Sequence, residues 1–218
     1  MDNIGRVIGE ILFPALCETI YMVIFATLYS AILGIVLGII LTVTDSDGLK
    51  PNKYIYKILD FIINILRSFP FVVLAIAIMP ITKIVVGTRI GVNAALLPLV
   101  LVMAPFVGKM IEGDLKKVDI GMIEAAKSFG ASKSQIIFKI MMKEALPSII
   151  LSITLIGVSM VGSSAMAGAV GAGGLGSVAI IYGYQSFNDF VMYGTVVIIL
   201  ILVQLVQSIG SFLYKKYK

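Results

Sequence analysis

The sequence predicts an all-α membrane protein: one domain, residues 1–218, with five transmembrane helices. Three observations predict it. Hydrophobic residues make up 59% of the 218 and charged residues 13%, against about 25% charged in soluble domains. Residues 19–43, 90–108 and 190–214 hold no charged side chain, and about 20 apolar residues in a helix cross the hydrocarbon core. No segment shows the roughly ten-residue alternation of a membrane β-barrel, and open sheet edges cannot face lipid.

The elements follow in order. Met1-Asp2-Asn3 lacks the basic leader of a signal peptide. The first span is 19–43. The second runs over about 58–82 and is interrupted by Arg67, Pro70 and Pro80. Pro70 removes a backbone hydrogen bond and is expected to bend this helix. Asp60, Asn64 and Arg67 fall at i, i+4 and i+7, on one helical face. A lone Arg in hydrocarbon costs about 2.5–3.5 kcal/mol on insertion scales, so the stripe turns inward. Two readings stand: Arg67 snorkels with Asp60 as partner, or Arg67 and Asn64 line a water-filled path. The third span is 90–108, and a polar loop occupies 109–144. The stretch 145–188 is uncharged and too long for one span. Its second half is rich in Gly, so it reads as a fourth helix over 145–167 followed by an irregular segment. The fifth span is 190–214.

Charge sets the orientation. The 44–57 loop, the 109–144 loop and the tail after 214 hold 3, 7 and 3 Lys/Arg residues, 13 of the chain's 17. The positive-inside rule puts these on the cytoplasmic face, with the N-terminus outside and the C-terminus inside. The net charge of +5 is then a topology signal and a contact with anionic lipid, not a nucleic-acid footprint. The single cysteine, Cys17, excludes an internal disulfide, and the lack of His argues against metal chemistry and His-based catalysis.

The 109–144 loop is more organised than a connection needs to be. Asp119 is a candidate N-cap for a helix from Ile120 to Phe129. Gly130 follows as a left-handed stop. Ser132 and Gln135 form a Ser-x-x-Gln capping box for a second helix, with Ile136, Ile137, Ile140 and Met141 at helical spacing. Ala125 and Ala126 allow another surface to approach closely. Glu124 lies near the turn, where its carboxylate is placed to reach the N–H groups that open the second helix. The alternative is an amphipathic loop lying on the bilayer.

Beyond the fourth span, Ser163, Ser164, Ala165, Ala167, Gly168 and Ala169 surround one large side chain, Met166. Small residues let membrane helices approach closely. They read as a face that meets its copy across a two-fold axis, with Met166 as a soft plug, or as packing within one subunit. The Gly171–Gly176 run lacks the Lys-Ser/Thr ending of a phosphate loop, so no ATPase site is expected here.

Several segments resemble those of the ABC importer permeases. Glu124-Ala125-Ala126, Gly130 and Leu146-Pro147 are similar to that family's EAA loop. Four further segments are closer to the permease subunits of methionine importers: Asn64-Ile65-Leu66-Arg67-Ser68-Phe69-Pro70-Phe71, Val86-Gly87-Thr88-Arg89-Ile90-Gly91, Ala104-Pro105-Phe106, and the stretch from Ser164 to Gly176. The resemblance implies a type I ABC importer permease fold in a bacterial cytoplasmic membrane. It implies coupling to a cytoplasmic ATPase through Glu124, Ala125, Ala126, Ser128, Gly130, Ala131 and Ser132. It also implies a methionine-binding protein on the outer face, with ATP and Mg held by the ATPase partner and no cofactor in this chain. A chain of five spans is too small to enclose a gated path alone, so two copies and two ATPase subunits are expected. Met166, Ser163, Ser164, Arg67 and Asn64 are the expected gate and path residues. Lys143 departs from the family pattern, standing where many relatives carry a first proline.

Three alternatives remain. One is a permease for another amino acid. The others are an ATP-independent channel and an ion-coupled carrier. Ion coupling usually needs carboxylates at membrane depth, and the predicted spans are nearly free of them; nor does the sequence show an inverted repeat.

Overall fold

A computed structural model describes residue 5 and residues 7–218. The expectation at Met1-Asp2-Asn3 and the placement of Arg6 lie outside these residues. Every element among the described residues is helical. We number them α1 (Val7–Thr44), α2 (Lys53–Ser68), α3 (Phe71–Ala77), α4 (Met79–Val86), α5 (Val92–Leu115), α6 (Ile120–Ser128), α7 (133–144), α8 (Leu146–Gly168), α9 (174–185) and α10 (Asp189–Tyr217). Four of them, α1, α5, α8 and α10, are long and apolar enough to cross a membrane. The bent pair α2–α3 makes a fifth span if counted as one.

α1 runs well beyond the predicted span. At ~1.5 Å per residue its 38 residues extend about 57 Å. It is π-wound over Val7–Leu12 and α-helical from Phe13. Pro14 falls just after the junction of the two windings.

The most extensive seam lies between α1 and α5. Gly34 and Gly38, one turn apart, face Val107 and Ile111. A Cβ on Gly38 would lie 2.6 Å from the Ile111 Cβ and 2.9 Å from the Gly108 carbonyl oxygen. The missing side chains let the backbones touch, the small-xxx-small arrangement of membrane helices. Leu99, Val107 and Ile111 are fully buried along this seam, with Met22 from α1. Opposite, Gly210 of α10 admits Thr154 of α8 in the same way.

Two expectations need correction. Pro70 does not bend a continuous helix; it ends one. α2 and α3 meet at 103°. Phe69 is extended (φ −76°, ψ 131°), because a following proline excludes the helical conformation from the residue before it. The segment after the fourth span is not irregular either. Positive φ at Gly171, Gly173 and Gly174 reverses the chain, and α9 then runs as an α-turn, Gly174–Val178, and a π-wound stretch, Ala179–Gln185.

The seat of α9 is built from missing side chains. A Cβ on Gly168 would lie 2.6 Å from the carbonyl carbon of Gly176, so α9 lies on α8 backbone to backbone. Two groups of α1 cap its start: the Gly174 N–H donates to the Glu18 carboxylate at 2.6 Å and the Leu175 N–H to Thr19 Oγ1 at 2.9 Å. The Gly91 N–H donates to the Gly171 carbonyl at 2.8 Å, tying the start of α5 to the same turn.

Candidate functional site

α6 and α7 form a compact unit below the bundle. Asp119 caps α6, its carboxylate accepting from the Gly121 N–H. Gly130 takes φ +77° and turns the chain. Ser132 and Gln135 cap each other's backbone: the Ser132 N–H donates to Gln135 Oε1 at 2.8 Å and the Gln135 N–H to Ser132 Oγ at 3.3 Å. α7 continues as Lys133–Gln135, a π-wound Ile136–Met141 and Met142–Glu144. Ile136 and Met141 are buried in the main core with Ala126, so the unit is fixed to the bundle from one side.

The other side is bare. Glu124, Ala125, Ser128, Gly130 and Ser132 are exposed and Ala131 is half-buried. Phe129 is 91% exposed, at the end of α6 where the chain turns. Sequence reasoning passed over it; its signal is an aromatic in a polar loop, directly before the glycine stop. Of the paired alanines only Ala125 faces outward, since Ala126 packs against the chain itself. The expected bond from Glu124 to the start of the second helix is not made; the Ser132 N–H goes to the Gln135 side chain. Glu124 instead borders an open groove of about 540 Å³ between α6 and the 45–49 turn, with Asp45, Leu49, Lys116 and Lys127.

Directly above this unit lies an ionic cluster that sequence reasoning missed. α5 runs past residue 108 and carries Glu112 and Asp114 into the bundle, where Glu112 is 4% exposed. The Glu112 carboxylate accepts from Lys109 Nζ at 2.8 Å, Lys116 Nζ at 2.8 Å and the Tyr56 hydroxyl at 2.9 Å. Lys109 also pairs with Asp60 of α2, and Lys116 with Asp45 at the end of α1, 2.8 Å away. Asp114 accepts from Ser152 of α8 at 2.6 Å and pairs with Lys117 at 3.0 Å. Charged groups from α2, α5 and the end of α1 therefore meet near the start of α6, and Ser152 of α8 adds a hydroxyl. The Lys116 contact holds the Asp45 carboxyl below its ordinary value of 3.8, against the opposing pull of burial. Burial works to lower Lys116, but hydrogen bonds to Asp45 and Glu112 outweigh it and raise the ammonium above its ordinary 10.5.

The polar stripe of α2 docks on α5. Asp60 pairs with Lys109 and accepts from Asn64 at 2.9 Å, so it is not the partner of Arg67. The Arg67 guanidinium stacks on Phe106 of α5, 4.8 Å from the ring centroid, a favourable cation–π contact. Asn64 is exposed, beside Phe61 and Phe69.

At the far end the small residues divide. Ser163 and Ser164 are buried within the chain, and Ser164 Oγ donates to the Val161 carbonyl. They turn into the subunit, as Gly168 does. Met166, 55% exposed, projects away, with Ala169 also exposed and Ala165 half-buried. The described residues hold no group of three or more His, Cys, Asp or Glu placed for a metal.

Comparison with known proteins fits this geometry. Residues 34–218 match the family described as the binding-protein-dependent transport system inner membrane component. The probable D-methionine transport system permease protein of Vibrio cholerae is 46% identical, over 95% of this chain and 92% of its own. The methionine import system permease protein of Bacillus subtilis is 48% identical, over 92% and 90%. The MetNI methionine ABC transporter in an inward facing conformation superposes with a TM-score of 0.95 at 36% identity, over 97% of this chain and 98% of that one. An amino acid ABC transporter solved with histidines has a TM-score of 0.76 at 18% identity, a likeness of fold alone.

Proposed function

The chain belongs to the family of binding-protein-dependent transport system inner membrane components, and we propose that it is the membrane permease subunit of an ATP-driven importer of methionine, in both L- and D-forms. It works as a homodimer in the cytoplasmic membrane of a bacterium. The end bearing α6 and α7 faces the cytoplasm, as the Lys/Arg distribution requires. Each copy docks one ATPase subunit through Glu124, Ala125, Ser128, Phe129 and Gly130. ATP and Mg²⁺ bind to that partner, and an extracytoplasmic binding protein delivers methionine to the far end.

The observation that carries this reading is the exposed face of the α6–α7 unit. An exposed Phe129 beside exposed Glu124, Ala125 and Ser128, on a turn held rigid by two caps, supports a preformed docking surface with an aromatic anchor. The chain's likeness to methionine permeases over nearly its whole length supplies the substrate. Met166 supports an outer gate: it is the large side chain that leaves the small-residue face of α8, and its flexible thioether can meet its copy without an unpaired polar group.

Reconstitution tests the proposal. Proteoliposomes holding the permease, its ATPase and its binding protein should import labelled methionine only with ATP, and unlabelled D-methionine should compete while polar amino acids do not. Uptake without the ATPase would overturn it in favour of a channel or carrier. Uptake blocked by polar amino acids would overturn the substrate.

A further inference from the structure

Glu112, at the centre of the ionic cluster, is buried away from the docking face, although Asp45 and Lys116 border the groove beside Glu124. The cluster does not serve stability well. Buried ion pairs contribute little net stability, because desolvation consumes most of the Coulombic gain, and apolar side chains would fill the same space. The cluster's value lies in which helices it joins.

α2 is held almost entirely by polar contacts. Among its residues only Ile63 is buried. Its face toward α5 is a ladder: Tyr56 bonds Glu112, Asp60 pairs with Lys109, and Arg67 stacks on Phe106. Tyr56 also lies against both lysines, with Lys116 Nζ 5.5 Å and Lys109 Nζ 5.6 Å from its ring centroid. The ladder's lowest rung adjoins Lys116, which bonds both Glu112 and Asp45. Three residues after Lys116, Asp119 caps α6. A displacement of α6 therefore acts first on Lys116, then on Glu112, then on α2. Beyond the top rung lies the break at Phe69–Pro70, where α2 can pivot without losing helical hydrogen bonds.

We propose that Glu112 is a positioning residue for transport: its carboxylate, gripped by Lys109, Lys116 and Tyr56, carries the motion of α6 into α2. The proposal rests on the importer reading above. An apolar contact slides, whereas a three-donor carboxylate keeps its partners in register, so α2 follows α6 instead of slipping along α5.

The test uses the reconstituted importer with its ATPase and binding protein, and reads ATP hydrolysed per methionine imported. Tyr56→Phe removes one donor from Glu112 and little volume. It should raise that ratio about tenfold, the low end expected for loss of a hydrogen bond to a charged group, with the KM for ATP and the amount of bound ATPase unchanged. Glu112→Gln should raise the ratio at least as much, and Glu112→Asp should restore part of the coupling. In the Glu112→Gln background, Tyr56→Phe should add little, since both changes break one contact. If Glu112→Gln fails to assemble, Tyr56→Phe decides alone. Wild-type ratios in both single variants would overturn the proposal, as would a Tyr56→Phe effect undiminished in the Glu112→Gln background. Import by the wild-type chain without ATPase would overturn the importer reading, and this one with it.

Discussion

The α1–α5 seam and the α6–α7 unit hold their shapes by opposite means. The seam is fixed by absent atoms: Gly34 and Gly38 let two backbones meet, and the large side chains around them are buried. The unit is fixed by polar caps at its ends, with its outer face in water. Lipid explains the difference. Between apolar helices in an apolar solvent only close packing favours association, whereas in water a short helix needs its end groups satisfied. A change in the seam should therefore remove the protein, and a change in the unit should leave the protein and remove its coupling.

The sharpest break is Gly38→Leu. The new side chain starts 2.6 Å from the Ile111 Cβ, and overpacking of this kind costs roughly 1–3 kcal/mol or more. Little folded protein should survive in detergent, judged by size-exclusion profile and thermal melting. A normal melt would mean that the seam is looser than its geometry.

Phe129→Ala tests the other side. Its melt should match wild type, because a 91% exposed side chain makes few contacts of its own. Affinity for the ATPase should fall by about 2 kcal/mol, the usual scale of an aromatic anchor, in a pull-down or titration. An unchanged affinity would place the docking contact elsewhere on the unit.

Gly130→Val should have a smaller effect on assembly and a clear one on uptake. At φ +77° a β-branched residue is strained by about 1–2 kcal/mol, and the turn that sets α6 against α7 must shift. Glu124→Lys should uncouple in the same manner by reversing charge on the exposed face. Normal uptake in both variants, at normal expression, would contradict the coupling role.

Met166→Cys carries the comparison to the far end. After Cys17 is replaced, it should cross-link between subunits without nucleotide and less so with ATP. No cross-link in any nucleotide state would assign Met166 to lipid.

The smallest expected effect is on pH. Asp45 is held below its ordinary value, so the stability it contributes is present at neutral pH and is lost as pH falls through and below 3.8. Lys116 is held above 10.5, so its contribution is complete below that value and fades only as pH rises past it. The melting temperature should be flat between these limits as far as this pair is concerned. Asp45→Asn should flatten part of the acid-side decline; an identical acid profile would show that the pair is not felt.

Much of the α6–α7 unit was legible because each signal is local. Asp119, Gly130, Ser132 and Gln135 stand within a few residues of the groups they satisfy, and one backbone rule interprets each. The apolar spans are legible for a similar reason, since lipid leaves the backbone no choice but the helix. The proline break was half legible: Pro70 marked the place, but the 103° angle depends on what α3 packs against.

What only the tertiary structure decided joins distant residues. Glu18 caps a helix 156 residues later in the chain. Asp60 takes Lys109 in place of Arg67. Glu112 reads in sequence as one more loop charge, yet three donors from two helices converge on it. The small residues around Met166 marked a close approach and left its partner open, because a missing Cβ is as inviting to α9 of the same chain as to a second copy; Gly168 takes α9. Sequence by itself determined where this chain must be helical, which end carries the charge and where a capped unit leaves the bilayer, since each follows from solvent and local hydrogen bonding. The identity of every helix's neighbour, and so the ionic ladder from α6 to α2, was decided by packing in three dimensions, where shape and desolvation choose among charges that look alike along the chain.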